Sequence, residues 1–508
     1  MSSSLHAAGV SLIAGTPTEG DGGAFTSTAP QSGPGDRPTF RSVTEDQMDA
    51  AVAAAATARR GPIDTVALAH ALQTAAAGFE THADTVVAVA DSESALGEAR
   101  LTGELARTVG QLRMMAAEAV AGARRDTVVD PAGPTPAEPG LFRTRIPIGV
   151  VGVFAASNFP LAFGVAGTDT AAALAAGCPV VAKAHPAQPA TAELCGRLIT
   201  AGIAEAGLDA GMYSVIHEEG HVVGQALVGH PEVAAIAFTG SHRGGRALFD
   251  LAAARPQPIP VYAEMGSLNP VLVSPGAASE RPEELVQTIL GSCLLGEGQF
   301  CTKPGLVILP AGENGERVAE GLAQALKAHR PSHPLLYPGI DRGFEQGVRA
   351  IADLDGVRLV SAPKSGQGTP AVLCHATVAA VVANSSLRQE LFGPATVVVV
   401  ATDAQMRQLI EVLDPALTAT LQVTDDEDVW TRSMADLLAR KVGRVIRNGM
   451  PTGVRVSPAQ HHGGPYPATT SPLHTSVGLA AIDRFLRPVT FQSFETGGLP
   501  TWAKRPAG

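Results

Sequence analysis

Six short stretches hold residues that could do chemistry, and the sharpest is Gly296-Glu-Gly-Gln-Phe-Cys301-Thr-Lys-Pro-Gly305. Glycines on both sides of the cysteine let backbone N–H groups approach a reacting centre with no Cβ in the way. A partly exposed, activated thiol in such a turn is what nucleophilic attack through sulfur requires. Tyr262-Ala-Glu264-Met-Gly-Ser-Leu-Asn269-Pro270 closes an apolar run with a carboxylate, from which a general base can reach a pocket. Phe154-Ala-Ala-Ser-Asn158-Phe-Pro160 sets an amide N–H₂ donor just past another apolar run, where it could meet an oxyanion. Gly240 and Ser241 lie in a strand, glycine turn and helix over 238–245, the way helix N-termini meet anions. Lys183, two residues before His185, ends a strand from which it can reach a ribose or phosphate, and Glu390 with Phe392 puts a carboxylate and a ring before a strand. Singly, each has an ordinary alternative: an inert buried thiol, a surface glutamate, a turn-capping asparagine, a solvated lysine, a plain loop.

The elements that must position these residues follow from periodicity. Residues 1–40, rich in Ser, Gly, Thr and Pro, read as an irregular arm. Helical spacing covers 44–59, 63–90 and 94–123, and four prolines over 131–139 break the chain. From 140 onward apolar strands at 147–154, 180–183, 212–216 and 233–238 alternate with helices at 191–206 and 222–229. The pattern resumes with strands at 270–273, 305–309 and 396–400 and helices at 282–295 and 316–328, before an extended piece at 487–492. Such alternation predicts parallel sheets with helices on both faces.

The 508 residues are too many for one core. A net charge of −11 without a basic run argues against nucleic acid as a partner. The five cysteines, an odd number without a CxxC pair, argue against a disulfide framework or a zinc knuckle and suit a reducing compartment. Neither a signal core nor an unbroken apolar run of about 18 to 20 residues is evident, so the cytoplasm is expected, with no membrane span and no metal.

Taken in order, the six stretches resemble the aldehyde dehydrogenase superfamily over about 148–488. The resemblance implies Cys301 as nucleophile, Glu264 as general base, and Asn158 with the Cys301 backbone N–H as oxyanion hole. It implies Lys183 at the adenine ribose, Gly240 and Ser241 at the pyrophosphate, Glu390 at the nicotinamide ribose and Phe392 beside the nicotinamide. Where many NAD-preferring members carry a glutamate two residues after the lysine, this chain has His185, which can donate to a 2′-phosphate; NADP is therefore expected, with NAD as the alternative. The implied fold is α/β: a Rossmann-type dinucleotide domain (1–130 and 148–267) without the usual glycine fingerprint, a catalytic domain (268–457), and a small β bridging element (131–147 and 458–508). An exposed edge of that element would pair subunits in a homodimer or homotetramer.

The stretches 447–454, 461–470, 475–478 and 484–489 resemble the branch that oxidises 2-oxoglutarate semialdehyde (2,5-dioxopentanoate), which is also similar to NADP-linked long-chain fatty aldehyde dehydrogenases. Ser471-Pro-Leu-His474 departs from that pattern. A carboxylate-bearing substrate needs a cation, for which Arg455, His461 and His462 are candidates; the same histidines could instead satisfy backbone groups in a rigid loop. Three other readings stay open: a CoA-acylating dehydrogenase, a catalytically silent binding or structural protein, and an unrelated cysteine hydrolase. Glu264 speaks for hydrolysis over acyl transfer to a thiol.

Overall fold

In a computed structural model the described residues are 5–27, 38–61, 64–135, 137–331, 333–366, 368–494 and 498–500. Parts of the expected arm (1–4 and 28–37) and of the C-terminal segment (495–497 and 501–508) lie outside them.

Two seven-stranded sheets organise the chain. The first has the order Val261–Glu264, Val233–Thr239, Val150–Phe154, Val180–Lys183, Tyr213–Ile216, Ser11–Ile13, Thr16–Thr18. Its first five strands are parallel. Alternate side chains serve opposite faces, as the two-residue repeat of a strand demands. Val151, Val153, Val180 and Ala182 pack among helices Thr65–Thr81, Glu98–Ala121 and Thr168–Ala176. Val150, Phe154, Val181 and Ile236 face Glu45–Ala58 and Val222–Gly229. The arm is less irregular than expected. Ser11–Ile13 joins the sheet antiparallel to Tyr213–Ile216 and pairs on its other side with Thr16–Thr18.

The second sheet runs Val357–Ser361, Val372–Ala376, Ala395–Ala401, Leu306–Pro310, Pro270–Val273, Ala416–Gln422, Val442–Arg447, parallel except at Val357–Ser361. Ala416–Gln422 is buried throughout. It lacks a continuous run of large apolar residues, because Thr418 and Thr420 occupy interior positions, and periodicity does not announce it.

Leu141–Pro147 lies between Leu486–Gln492 and Val128–Asp130 in a third, antiparallel sheet. The strand expected at 147–154 begins at Val150, and Pro147 instead ends Leu141–Pro147 of this small sheet. The C-terminal segment divides as well. Leu486–Gln492 enters the small sheet, whereas residues near 470 run along the edge of Val261–Glu264: Met265 N–H donates to Ala468 O (2.8 Å) and Thr470 N–H to Ala263 O (3.1 Å).

This layout fixes where chemistry can occur. The first sheet offers the carboxyl ends of adjacent parallel strands, the usual ligand-binding edge of an open α/β sheet. The second offers the amino ends of Leu306–Pro310 and Ala395–Ala401.

Candidate active site

Glu264 is the last residue of its strand, and Asn158 follows the carboxyl end of Val150–Phe154. Cys301 precedes Leu306–Pro310 after a turn in which Gly296, Glu297 and Gly298 all have positive φ (57°, 54°, 67°). Gly298 has no substitute there, since a Cβ would lie 2.1 Å from the Gly393 carbonyl. Asn269 then fixes the nucleophile turn. Its Nδ2 donates to the carbonyls of Cys301 (2.9 Å) and Lys303 (3.0 Å), and its Oδ1 accepts from Thr418 N–H (3.2 Å).

Cys301, Glu264 and His462 converge, with one ligand-type atom of each within 4.8 Å of the others. His462 Nε2 is 3.1 Å from Glu264 Oε1 and 3.7 Å from Cys301 Sγ. Ser476 Oγ donates to Glu264 Oε2 (2.6 Å). Burial opposes the charge of Glu264, but the His462 charge and the hydrogen bonds from His462, Ser476 and Cys301 outweigh it and hold the carboxyl below its usual value. The Cys301 thiol is pushed well up, first by burial, then by the charges of Glu264 and Glu390, with Arg107 opposing. At rest it therefore carries its proton beside a carboxylate able to take it. Asn158 is buried; its Nδ2 donates to Gln299 O (3.0 Å), two residues before the sulfur, and its own carbonyl accepts from Arg100 Nη2 (2.5 Å).

The other expected residues surround this centre. Lys183 is buried, and its Nζ donates to Glu218 O (3.3 Å) and lies 3.8 Å from Glu218 Oε2. His185 Nδ1 accepts from Ala187 N–H (3.2 Å), and burial, Lys183 and His221 push the ring down to about 3. It is neutral at pH 7, leaving a single N–H to offer. Ser241 caps helix His242–Ala253, accepting from Gly244 N–H, and Gly240 sits before it. Glu390 presses so close to Gly266 that a Cβ there would meet Glu390 Oε2 at 2.2 Å. Phe392 is half-buried on the same loop.

Of the three cation candidates, His462 enters the site but is committed to Glu264 and Cys301. His461 is half-buried and pushed toward neutrality by burial and by His462. Arg455 is exposed, its neighbours Val454 and Val456 turning inward against Phe163 and Val477. Four functional neighbours carried no assignment from sequence: Ser476, Lys303, Arg100 and Arg107. Lys303 is fully buried and donates to the carbonyls of Leu391 (3.0 Å) and Ala395 (2.6 Å), tying the Glu390 loop to the nucleophile turn.

The model of the Aldehyde dehydrogenase family matches residues 37–487. The chain belongs to the aldehyde dehydrogenase family. It is 42% identical to alpha-ketoglutaric semialdehyde dehydrogenase 2 of Azospirillum brasilense, over 98% of this chain and 96% of that one. It is also 42% identical to the alpha-ketoglutaric semialdehyde dehydrogenase of Acinetobacter baylyi, over 81% and 79%. Betaine aldehyde dehydrogenase of Staphylococcus aureus, solved with NAD⁺, has the same fold (TM-score 0.83, 18% identity, 96% and 95% covered). This aldehyde dehydrogenase is thus an oxidoreductase that works with a nicotinamide coenzyme, and among the described residues no helix is long and apolar enough to cross a membrane. Its own residues fit such a coenzyme: Glu390 Oε1 is buried without a hydrogen-bond partner among the described residues, an acceptor suited to a sugar hydroxyl.

Proposed function

We propose that this aldehyde dehydrogenase oxidises 2-oxoglutarate semialdehyde to 2-oxoglutarate through a thioester on Cys301. What carries the reading is the meeting of Cys301, Glu264, His462 and Asn158 in a chain 42% identical, over nearly its whole length, to a relative named for that aldehyde.

Glu264, ionised and within reach, takes the thiol proton, and the sulfur adds to the aldehyde carbon. Negative charge on the oxygen is met by the Asn158 amide and the Cys301 backbone N–H, worth about 2.7 to 4 kcal/mol per positioned donor. The bound coenzyme supplies the hydride acceptor. Departure of hydride from that carbon leaves the acyl thioester. Glu264 releases the thiol proton to solvent. Its carboxylate, sustained by His462 and Ser476, then draws a proton from water. The oxygen bonds the acyl carbon, the C–S bond breaks, Glu264 returns a proton to the departing sulfur, and the acid leaves. A base already beside the sulfur favours water over CoA as the acceptor.

Lys183 and His185 would hold the adenosine ribose, Gly240 and Ser241 the pyrophosphate, and Glu390 and Phe392 the nicotinamide riboside. No carboxylate stands at 185 to repel a 2′-phosphate. Yet the Lys183 ammonium is already paired with Glu218 and His185 is neutral, so neither brings an uncommitted charge. NADP is accepted, and its advantage over NAD stays within about tenfold, or ~1.4 kcal/mol. Residues 1–130 and 148–267 form the dinucleotide domain and 268–457 the catalytic domain. An outer edge of the three-stranded sheet pairs subunits into a homodimer or homotetramer. Five free thiols suit the cytoplasm.

The test is reduced-coenzyme absorbance with 2,5-dioxopentanoate, succinic semialdehyde and hexanal, each with NAD and NADP and with or without CoA. The expected result is the highest kcat/KM for 2,5-dioxopentanoate and no effect of CoA. A preference for hexanal would point to a fatty aldehyde enzyme, and a CoA requirement to acyl transfer; no turnover with any of them would point to a silent protein.

A further inference from the structure

Helix Glu98–Ala121 turns Arg100, Glu104 and Arg107 toward the active site. Arg107 lies 5.2 Å from the Phe163 ring and 6.0 Å from that of Phe159. Arg100 lies 5.1 Å from Phe159 and 4.5 Å from Phe300, the residue before the nucleophile. The three rings stack edge to face, Phe159 being 5.8 Å from Phe163 and 5.2 Å from Phe300. Phe163 also lies 6.5 Å from the His462 ring. The guanidinium of Arg107 and the imidazole of the reacting centre are therefore both neighbours of one phenyl ring. The rings of Phe159 and Phe163 give this neighbourhood apolar surface suited to methylene groups.

Among Arg100, Glu104 and Arg107 the charges do not cancel. Glu104 is fully buried and spends Oε1 on the backbone N–H groups of Leu161 (2.8 Å) and Ala162 (2.9 Å), and two arginines against one carboxylate leave one positive charge. Arg100 uses Nη2 on the Asn158 carbonyl, which makes it a positioning residue for the amide. Arg107 Nε and Nη2 are buried with no hydrogen-bond partner among the described residues. Leaving charged donors dry and unpaired is costly unless a ligand completes them. An adjacent N–H pair on guanidinium is the fork that takes a carboxylate bidentately. Arg100 keeps Nε and Nη1 unpartnered among the described residues and Arg444 keeps Nε, but each has given Nη2 to a carbonyl, Asn158 (2.5 Å) and Pro451 (2.8 Å) respectively, so neither retains the Nε and Nη2 fork that Arg107 does; Arg455 is exposed.

We infer that Arg107 receives the far carboxylate of the substrate and so selects an aldehyde that carries an acid. This rests on the proposed substrate class and names the group that recognises it. In 2,5-dioxopentanoate four C–C bonds of about 1.5 Å separate the aldehyde and carboxylate carbons, roughly 5 Å in all, a span comparable with one phenyl ring. The aldehyde end meets Cys301 while the acid end meets Arg107, and the methylenes lie along Phe159 and Phe163. Small attraction to the ring faces holds the guanidinium in place before substrate arrives.

The experiment compares 2,5-dioxopentanoate with pentanal, which has the same number of carbons and no acid, in wild type, Arg107→Met and Arg107→Lys. Arg107→Met should lower kcat/KM for 2,5-dioxopentanoate about a hundredfold, mainly through KM, with a far smaller change for pentanal; Arg107→Lys should fall between. Glutarate should protect wild-type Cys301 from iodoacetamide and fail to protect the Met variant. The inference is overturned if both aldehydes decline together in the Lys variant, or if glutarate protection survives in the Met variant. If Arg107→Met does not fold, the Lys variant and wild-type protection carry the same comparison. Wild type that treats the two aldehydes alike would sink the substrate reading and the subsite together. A wild-type preference that persists without Arg107 sinks the subsite alone.

Discussion

Consider His462→Gln, which keeps a polar side chain but removes the imidazole. In the structure one nitrogen, Nε2, serves both the base (3.1 Å from Glu264 Oε1) and the nucleophile (3.7 Å from Cys301 Sγ). Glu264 is held below its usual value because the charge and hydrogen bond of His462, with help from Ser476 and Cys301, overcome burial. A depressed carboxylate pKa means that its ionised form persists at lower pH; without His462 the acid limb of the rate profile moves to higher pH. A hydrogen bond to a charged group is worth about 1.5 to 3 kcal/mol. At about 1.36 kcal/mol per pH unit, loss of that support moves the acid limb up by about one to two pH units, so thioester hydrolysis slows about 10- to 150-fold on that limb and little at neutral pH. Stopped-flow absorbance separates the steps: the variant should show a burst of reduced coenzyme followed by a slow steady state that recovers as pH rises. An acid limb that does not move, with hydrolysis as fast as in wild type, would refute the claim that His462 sustains the Glu264 charge.

Other expectations follow from neighbouring groups. Burial, with Glu264 adding and Lys303 and the Ser267 N–H opposing, raises Glu390 to about 7. Its acceptor form grows as pH rises through that value, so NAD(P)⁺ should bind more tightly at pH about 8 than at about 6; calorimetry on Glu390→Gln should show that dependence flattened. Cys301→Ala should abolish oxidation while coenzyme affinity stays within a few fold, since the sulfur contacts the base and not the coenzyme residues; substantial remaining turnover would remove Cys301 from the nucleophile's role.

What could be read from sequence was whatever sits at strand ends. Asn158, Lys183, Gly240 and Glu264 each follow an apolar run closely, and parallel pairing sets those ends side by side. Cys301 and Glu390 similarly precede runs in the second sheet. The loop 451–478 gave no such guide: it has neither the helical nor the strand period, so nothing indicated that His462 would turn in while Arg455 turned out. Arg107 was hidden for another reason. Its helix reads as alanine-rich and amphipathic, and only the spacing of Arg100, Glu104 and Arg107 on one face hinted at charge directed inward. Lys303 stood in the nucleophile motif, but its burial depends on carbonyls some ninety residues away, at Leu391 and Ala395.

The central claim is an acyl group on one sulfur. Wild-type enzyme mixed with 2,5-dioxopentanoate and coenzyme, quenched in acid during the burst and digested, should yield the Cys301 peptide heavier by one 2-oxoglutaryl group, in step with the coenzyme reduced in that burst. Coenzyme reduction without that adduct, or an adduct on Cys178, Cys195, Cys293 or Cys374 instead, would contradict it.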